Sequence, residues 1–362
     1  MHLTMLPALD GDCLLLEWGD DERHSLVVDL GRRTTFSLAR ATLERLRSPE
    51  LLVITHVDAD HIGGALPLVA DCDPVFRPGR VWFNGRNSVR LATDRLSGRV
   101  ERYSVRQGDV FSRGIARHGW PCNSDFLDGV VSTDADEARA GICLAGGLTV
   151  HLMGPGDIEL SRMLPIWKTE LRRAIAATNE DSPRRVERYG STIDVSALAT
   201  RPYVPDTSAA NGSSIAFLAE YRGTRVLFGA DASAETLERA ILAMSPDGSG
   251  RLKVDFMKVS HHGSRANTSP RLLAMIDCTQ FFFSSDGSHR HEHPNSETIA
   301  RIIKADPSRK KRLYFNYRQP QTEVWDVEHL KRKWNYECIY PPMSATNGLL
   351  RIALATGELA DD

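Results

Sequence analysis

Apolar, partly β-branched runs in this chain repeatedly end on histidine and aspartate, and this arrangement limits the fold more than any other feature. "LLVIT" (51–55) runs straight into "HVDADH", and "RVLFGAD" ends on Asp231. "VDFMKVS" is followed by "HHGS", and "QFFFSS" by a stretch ending in "HRHEHP". Layered α/β sheets collect their active-site loops at the carboxyl ends of strands. Four polar clusters in that position therefore predict one site assembled from distant pieces of chain.

The runs between these clusters fit the same scheme. "CLLLEW" (13–18) and "SLVVDLG" (25–31) have the pattern of strands, and "FSLARATLERLRS" has apolar residues at helical spacing. "GGALPLVADC" begins a further helix, "RVWFNG" (80–85) is a strand, and "GLTVHLMGPGD" (147–157) is a strand closed by a Pro-Gly turn. "SSIAFLAEY" and "TRVLFGAD", joined by "RG", predict a hairpin. Helices follow at "ASAETLERAILAM", "SPRLLAMI" and "NSETIARIIKA", and strand candidates close the chain at "RLYFNY" and "GLLRIAL". Strands alternating with helices in both halves predict α/β layers around mixed sheets. Residues 1–305 are expected to form one domain, with an insertion at about 158–210 that holds the helical piece "LPIWKTELRRAIAA". Residues 306–362 are expected to be an extension packed on that domain.

Composition narrows the classes. At 362 residues the chain can bury one large core or two ordinary ones. A net charge of −2, from 45 basic and 47 acidic side chains, supplies no global attraction to nucleic acid or membrane. No apolar run approaches the roughly 18 residues of a spanning helix, and the start "MHLTMLPALDGD" lacks signal-peptide character. A soluble, cytoplasmic protein with no membrane partner is the expectation. The six cysteines are scattered, with no CxxC pair, which fits reduced thiols rather than a disulfide framework or a cysteine zinc site.

Imidazole and carboxylate together suit a first-row divalent metal, and two neighbouring ions need about six to eight such ligands. His56 and Asp58 are two residues apart and point the same way on an extended turn, while Asp60 and His61 are offset and suit a second ion. Asp231, with two carboxylate oxygens, is the natural bridge; His293 and one of His261 and His262 would complete the set. Two ions about 3.5–4 Å apart would hold a hydroxide and clamp a phosphoryl or acyl centre.

At this point the residues resemble the metallo-β-lactamase superfamily, whose signature HxHxDH closes a strand. Asp58 stands where that pattern has its second histidine, and "THVDADHIGG" keeps the rest. Within the superfamily the chain is most similar to the branch containing the hydrolase domain of ComEC-type DNA-uptake proteins. "LDGDCLLLEW", "VVDLG", "NGSSIAFLAEYRGTRVLFGADA", "FMKVSHHGSRANTS" and "SSDGSHRHEHPNSETI" follow that branch's motifs in order over about residues 3–305. The middle stretch is unmatched.

The resemblance implies a four-layer αββα sandwich of mixed sheets and a metal-dependent hydrolase, with phosphodiester chemistry on DNA or a nucleotide. Carried over by position, His56, Asp58, Asp60, His61, Asp231 and His293 take metal-ligand places with His261 as companion, and Asp157 of "GPGD" stands at the third-motif histidine. The expected cofactor is a pair of divalent ions, zinc by default. Two carboxylates in place of imidazoles make the site harder, so manganese competes and magnesium stays in view. The expected mechanism is in-line attack by a metal-held hydroxide. Asp60 has a catalytic part in it, and His262 or Ser264 contacts the scissile group or protonates the leaving group. Nucleic acid or a small phosphodiester is the expected substrate. Acyl chemistry on a lactone, thioester or β-lactam uses the same metals, and a metal-stabilised binding module is the reading from outside the enzymes.

Several features have plainer accounts. Asp231 could cap the helix that follows it, and Asp157 could be a turn residue. Asn211 and Ser214 are explained by a turn and a strand start. His289 and His291 read as solvated, His151 as a core histidine, and His118 and His329 have no companions. The arginines at 86, 90, 95, 99, 102 and 106 read as a solvated helical face, with phosphate-backbone binding as the alternative.

Overall fold

The structure is a computed structural model that describes residues 1–97, 109–176, 193–245, 250–288, 292–343 and 347–360. Five N-terminal strands open the first sheet: β1 (His2–Met5), β2 (Leu14–Trp18), β3 (His24–Val28), β4 (Leu51–Val53) and β5 (Val81–Trp82). The second sheet contains β6 (Ile142–Cys143), β7 (Thr149–Gly154), β8 (Ala216–Tyr221) and β9 (Thr224–Phe228). A short parallel pair, β10 (Leu252–Lys253) and β12 (Ile276–Asp277), stands apart, while β11 (Phe256–Lys258) and β13 (Gln280–Phe283) continue the second sheet. It ends with β14 (Lys311–Phe315) and β15 (Tyr336–Ile339), and β16 (Leu350–Ala353) and β17 (Glu358–Leu359) return to the first. The spatial orders are β17-β16-β1-β2-β3-β4-β5 and β15-β14-β13-β11-β9-β8-β7-β6. Both sheets mix parallel and antiparallel pairs.

Period-two alternation along each strand separates three cores. Leu14, Leu16, Leu26, Val28, Leu51 and Val53 face Phe217, Phe228, Phe256 and Phe282 of the other sheet in one buried cluster. Their neighbours Leu15, Val27 and Leu52 face outward and pack on Phe36, Ala39 and Leu43 of the helix Phe36–Glu44. On the far side Leu227, Met257, Phe281 and Leu313 pack on Leu237, Ile241, Leu272, Ile299 and Ile302 from helices. The layers therefore run helix, sheet, sheet, helix. Burying one such Leu or Phe side chain is worth about 1.5–3 kcal/mol, so the alternation locks each strand's register.

The expected β8–β9 hairpin is present, with Tyr221 opposite Thr224. Its two turn residues, Arg222 (φ 48°) and Gly223 (φ 79°), both take the positive φ of a primed turn.

The C-terminal segment is more than an appendage. Its strands extend both sheets, β14 and β15 beside β13, and β16 against β1. Neither β1 nor β15 had been read from sequence. The 90–145 region, weakly patterned, contains the helices Arg86–Ser97 and Val110–His118. Inside the expected insertion lie the helices Asp157–Met163, Trp167–Ala176, Val195–Ala199 and Ala209–Gly212. His289, His291, Arg99, Arg102 and Arg106 and most of the polar stretch after residue 177 lie outside the described residues. Among the described residues no helix is long and apolar enough to cross a membrane.

Candidate metal centre

The carboxyl ends of β4, β9, β11 and β13 meet at one rim of the sandwich, and three of these strands lie side by side and parallel. After β4 the chain passes through His56 into the short helix Ala59–Ile62, with Asp58 at its N-cap position making no capping bond. The Asp58 carboxylate therefore remains available to the cleft. Gly63 and Gly64 let this helix sit on the turn after β3. A Cβ at Gly64 would collide with the Leu30 carbonyl, and one at Gly63 would press on the Arg33 backbone nitrogen.

Asp231 follows β9 but does not cap the next helix. Ser233 does that, accepting from the Thr236 N–H. The alternative structural role for Asp231 is thereby taken by another residue. After β11, His261 (φ 49°, ψ 52°) and His262 (φ 54°, ψ 18°) are consecutive non-glycine residues in the left-handed region. That conformation is strained, and here it turns both imidazoles toward the same cleft.

The ring nitrogens define the centre. His61 Nε2 lies 3.4 Å from Asp231 Oδ2 and 3.8 Å from Asp60 Oδ2. His56 Nε2 lies 3.8 Å from Asp231 Oδ2 and 3.6 Å from Asp58 Oδ2. His262 Nε2 is 3.3 Å from His61 Nε2 and 3.4 Å from Asp60 Oδ2. His261 Nε2 is 3.7 Å from Asp231 Oδ2. His293 is buried beside them, its ring 5.0 Å from that of His261. Three ligand-like groupings result among the described residues: His56–His61–Asp231 and Asp60–His61–His262 at the cleft, and Asp12–Asp29–His61 behind it.

Behind the rings, the hydrogen bonds select tautomers. His61 Nδ1 donates to Asp29 Oδ2 at 2.8 Å, and His262 Nδ1 donates to the Ser284 carbonyl at 2.9 Å. Thr55 gives its single hydroxyl proton to Asp29, so its oxygen accepts from His56 Nδ1 at 3.0 Å. All three Nε2 atoms are left facing the cleft, as metal-binding imidazoles are held when the other nitrogen is tied back. His261 Nδ1 donates to Asn267 Oδ1 at 2.9 Å, and Asn267 and Asn211 both donate to Asp206.

The buried charges depend on one another. Burial works against the imidazolium of His61, yet Asp231, Asp29 and Asp60 outweigh it and hold its pKa well above the usual value. Burial likewise opposes protonation of His262, and Asp12 and Asp231 still push its pKa up to about 10. Burial raises the Asp231 carboxyl, but His61, His261 and His262 draw it well below the carboxylate range. The pocket thus calls for positive charge, supplied by protons or by cations.

A divalent ion fits on the structure's own terms. His56 Nε2 and Asp231 Oδ1 are buried without a hydrogen-bond partner, a cost of about 1–3 kcal/mol each. Apart from the 3.3 Å contact between His61 and His262, the separations above between ligand atoms are 3.4–3.8 Å, long for hydrogen bonds, and ligand atoms each about 2.0–2.2 Å from a shared ion stand about this far apart.

Other expected residues lie differently. Asp157 begins the helix Asp157–Met163, where its carboxylate accepts from Ser132 Oγ at 2.7 Å and pairs with Arg95 at 3.3 Å. It belongs to none of the three groupings found among the described residues. Ser264 is buried, and its hydroxyl accepts from the Ala266 N–H in a turn. Two carboxylates received no role from sequence, Asp12 and Asp29, although both stood inside quoted motifs, "LDGD" and "VVDLG". Asp12 lies 3.4 Å from His262 Nδ1 and is matched by Lys258.

Parts of the chain are similar to known proteins. Residues 6–84 match the family model of the metallo-beta-lactamase superfamily. A stretch of 98 residues is 26% identical to ComE operon protein 3 of Bacillus subtilis, covering 27% of this chain and 12% of that protein. Another match of 98 residues is 32% identical to hydroxyacylglutathione hydrolase of Erwinia tasmaniensis, covering 26% of this chain and 38% of that protein. The chain thus spans well under half the length of either relative. Among solved structures, the metallo-beta-lactamase fold protein YhfI of Bacillus subtilis is 12% identical with a TM-score of 0.36, over 94% of this chain and 97% of that one.

Proposed function

We propose that the protein is a metal-dependent hydrolase of phosphodiesters, acting on DNA or a nucleotide-type substrate. One observation carries the hydrolase reading: the orphaned His56 Nε2 and Asp231 Oδ1 face a cluster of ligand atoms at the rim where four strand ends meet. The phosphodiester assignment draws on the resemblance of the chain's motifs to the ComEC-type branch and on the carboxylate-rich donor set.

His56, Asp58 and Asp231 would hold one ion, and Asp60, His61, His262 and Asp231 the other. Divalent cations held there, zinc or manganese, would supply Lewis acidity, and zinc would bring the pKa of a bound water to about 7. Asp231 is placed to serve both, since Oδ2 faces His56 and His61 while Oδ1 lies 3.9 Å from His262 Nε2.

The geometry favours His262 as the ligand of the "HHGS" pair, where the resemblance implies His261. His262 is 2% exposed with Nδ1 tied back, the setting of a ligand. His261 is the more exposed, lines the cleft, and presents Nε2 at its mouth. It is the group positioned to give a proton to a leaving oxygen. The cleft, about 480 Å³, is of small-ligand size, and Arg32, held bidentate by Asp10, lies on its wall. The six cysteines, all free thiols, support a reducing, cytoplasmic setting.

A second reading, acyl hydrolysis, is favoured by the match to hydroxyacylglutathione hydrolase. The test is an assay of apo-protein reloaded with zinc or manganese against bis-p-nitrophenyl phosphate, single-stranded DNA, a glutathione thioester and a chromogenic lactam. Turnover of the phosphodiesters supports the proposal, and turnover of the thioester or lactam alone replaces it with acyl chemistry. Silence on all four with stoichiometric metal would leave a metal-stabilised binding module.

A further inference from the structure

The segment "YVPDTS" (203–208) has neither strand nor helix pattern, and sequence reasoning gave it no part in the site. The folded chain lays it along the turn that follows β11. The Asp206 N–H and the Tyr203 hydroxyl both donate to the Ala266 carbonyl, each at 3.0 Å. Asp206 then closes an Asx-type turn, its carboxylate accepting from the Ser208 N–H at 2.8 Å. Pinned in this way, its side chain lines the metal cleft beside His261. It belongs to none of the three candidate ligand groupings among the described residues.

What Asp206 does there follows from which atoms can donate. A carboxylate only accepts, so an amide that meets it must turn its NH2 group toward it. Asn211 Nδ2 reaches Asp206 Oδ2 at 2.6 Å and Asn267 Nδ2 reaches it at 3.2 Å. The Asp231 and Ala232 carbonyls, at 3.1 and 3.3 Å, draw Asn267 Nδ2 the same way. With its nitrogen facing three acceptors, Asn267 has only Oδ1 to offer His261, and that oxygen lies 2.9 Å from Nδ1. The contact requires a proton on Nδ1. Nε2 is then the nitrogen directed into the cleft, 3.7 Å from Asp231 Oδ2. Asn211 Nδ2, 3.4 Å from the same Nδ1, sets a donor against a donor and holds the ring by contact, not by a bond. Asn267 is fully buried, so water does not compete for its amide.

We infer that Asp206 is a positioning residue for the reaction, which acts through Asn267 and Asn211 to hold His261 as the Nδ1–H tautomer with Nε2 aimed at the leaving oxygen. The inference deepens the phosphodiester reading above and rests on its assignment of His261 as proton donor. In the step served, hydroxide adds to phosphorus, the bond from phosphorus to the leaving oxygen breaks, and that oxygen takes the Nε2 proton of the imidazolium. The ring is left as the Nδ1–H tautomer, the form that Asn267 Oδ1 accepts from.

The test uses the metal-loaded full chain with Asp206→Ala, Asp206→Asn and His261→Ala, and melting temperature and metal stoichiometry verify folding and loading. Two substrates separate positioning from general damage. p-Nitrophenolate leaves bis-p-nitrophenyl phosphate without a proton, whereas the sugar alkoxide of a thymidine dinucleotide needs one. Asp206→Ala should lower kcat on the dinucleotide about tenfold or more, with a much smaller loss on the nitrophenyl ester and little change in KM. Asp206→Asn keeps an oxygen for the two amides and should recover most of the loss. In a His261→Ala background, Asp206→Ala should add nothing. Equal losses on both substrates, or a further loss on top of His261→Ala, would overturn the inference. Asp206→Asn as damaged as Asp206→Ala would replace positioning with a role for the charge itself. Nitrogen-15 spectra of the histidine rings read the same claim without turnover. His261 should be the Nδ1–H tautomer in the unmodified protein and a mixture of tautomers in Asp206→Ala. If the unmodified protein hydrolyses neither ester, the hydrolase reading falls, and the spectra still decide the part of Asp206: a tautomer indifferent to Asp206→Ala overturns it.

Discussion

Lys258 Nζ donates to Asp12 Oδ2 at 2.7 Å, and both side chains are 1% exposed. The pair lies directly behind the metal centre, since the other Asp12 oxygen is 3.4 Å from His262 Nδ1. Burial alone would raise the Asp12 carboxyl, yet Lys258 and then His262 hold it far below the usual range. Removing one member leaves a buried charge uncompensated, a loss of about 3–5 kcal/mol. Lys258→Met should therefore destabilise the fold by that order in urea titration, and Lys258→Met with Asp12→Leu should recover part of it. Additive losses in the double variant would show that the two charges do not depend on each other.

Metal should stabilise the native state. A ligand at about a thousand times its Kd adds about 4 kcal/mol to folding. Chelation should lower the melting temperature, and zinc or manganese should restore it with two ions bound per chain by elemental analysis. Asp231→Ala should reduce that stoichiometry, because its carboxylate faces both groupings at the cleft. A chain that binds no ion and melts at the same temperature with and without chelator would remove the centre.

The two adjacent histidines should separate by phenotype. His262→Ala is expected to lose one ion. His261→Ala is expected to keep both ions while turnover drops about 10²–10⁴-fold, the usual worth of a proton donor. The opposite pattern would restore the assignment first drawn from sequence.

Asp29 holds His61 by its Nδ1 and is itself bound by the Thr55 N–H and hydroxyl. Asp29→Ala should weaken metal binding about 10–100-fold, the typical effect of losing such a support. Competition with a chromogenic chelator measures it, and unaltered affinity would show that the ring needs no such anchor.

The pH dependence of the metal-free protein has a defined sign. The His262 pKa is raised from 6.5 to about 10 on folding, so its contribution is complete below about 6.5 and is lost as pH climbs toward 10. Asp231 and Asp60 are depressed, so their contributions are present above about 3.8 and disappear in acid. Chemical denaturation of apo-protein should show greatest stability between about pH 4 and 6.5 and a decline into the alkaline range. Metal affinity should run the other way, rising with pH as the imidazoles release protons. Apo-protein stability that is flat from pH 6 to 10 would contradict the coupling.

Much of the scaffold was legible in the chain because local pattern sets it. Alternation in "CLLLEW" places Leu14 and Leu16 between the sheets and Leu15 under the helices. "RG" between two such runs makes the β8–β9 turn. The short strand β1 passed unread because "HLTM" has neither length nor flanking turn signals, and β15 was hidden in a charged stretch. Their strand character comes from partners far along the chain, β16 for β1 and β14 for β15.

By itself the sequence determined that apolar strands lead into His56, Asp58, Asp60, His61, Asp231, His261, His262 and His293, and so that candidate ligands for a divalent ion lie in scattered segments. Spacing along a strand or turn is a local property, which one segment carries without help. Only the tertiary structure decided which imidazole is tied back by Ser284, which carboxylate is matched by Lys258, and that Asp157 is claimed by Ser132 and Arg95. A side chain's direction and charge state depend on the atoms packed against it, and Lys258 and Asp12, 246 residues apart in sequence, meet only in the folded chain.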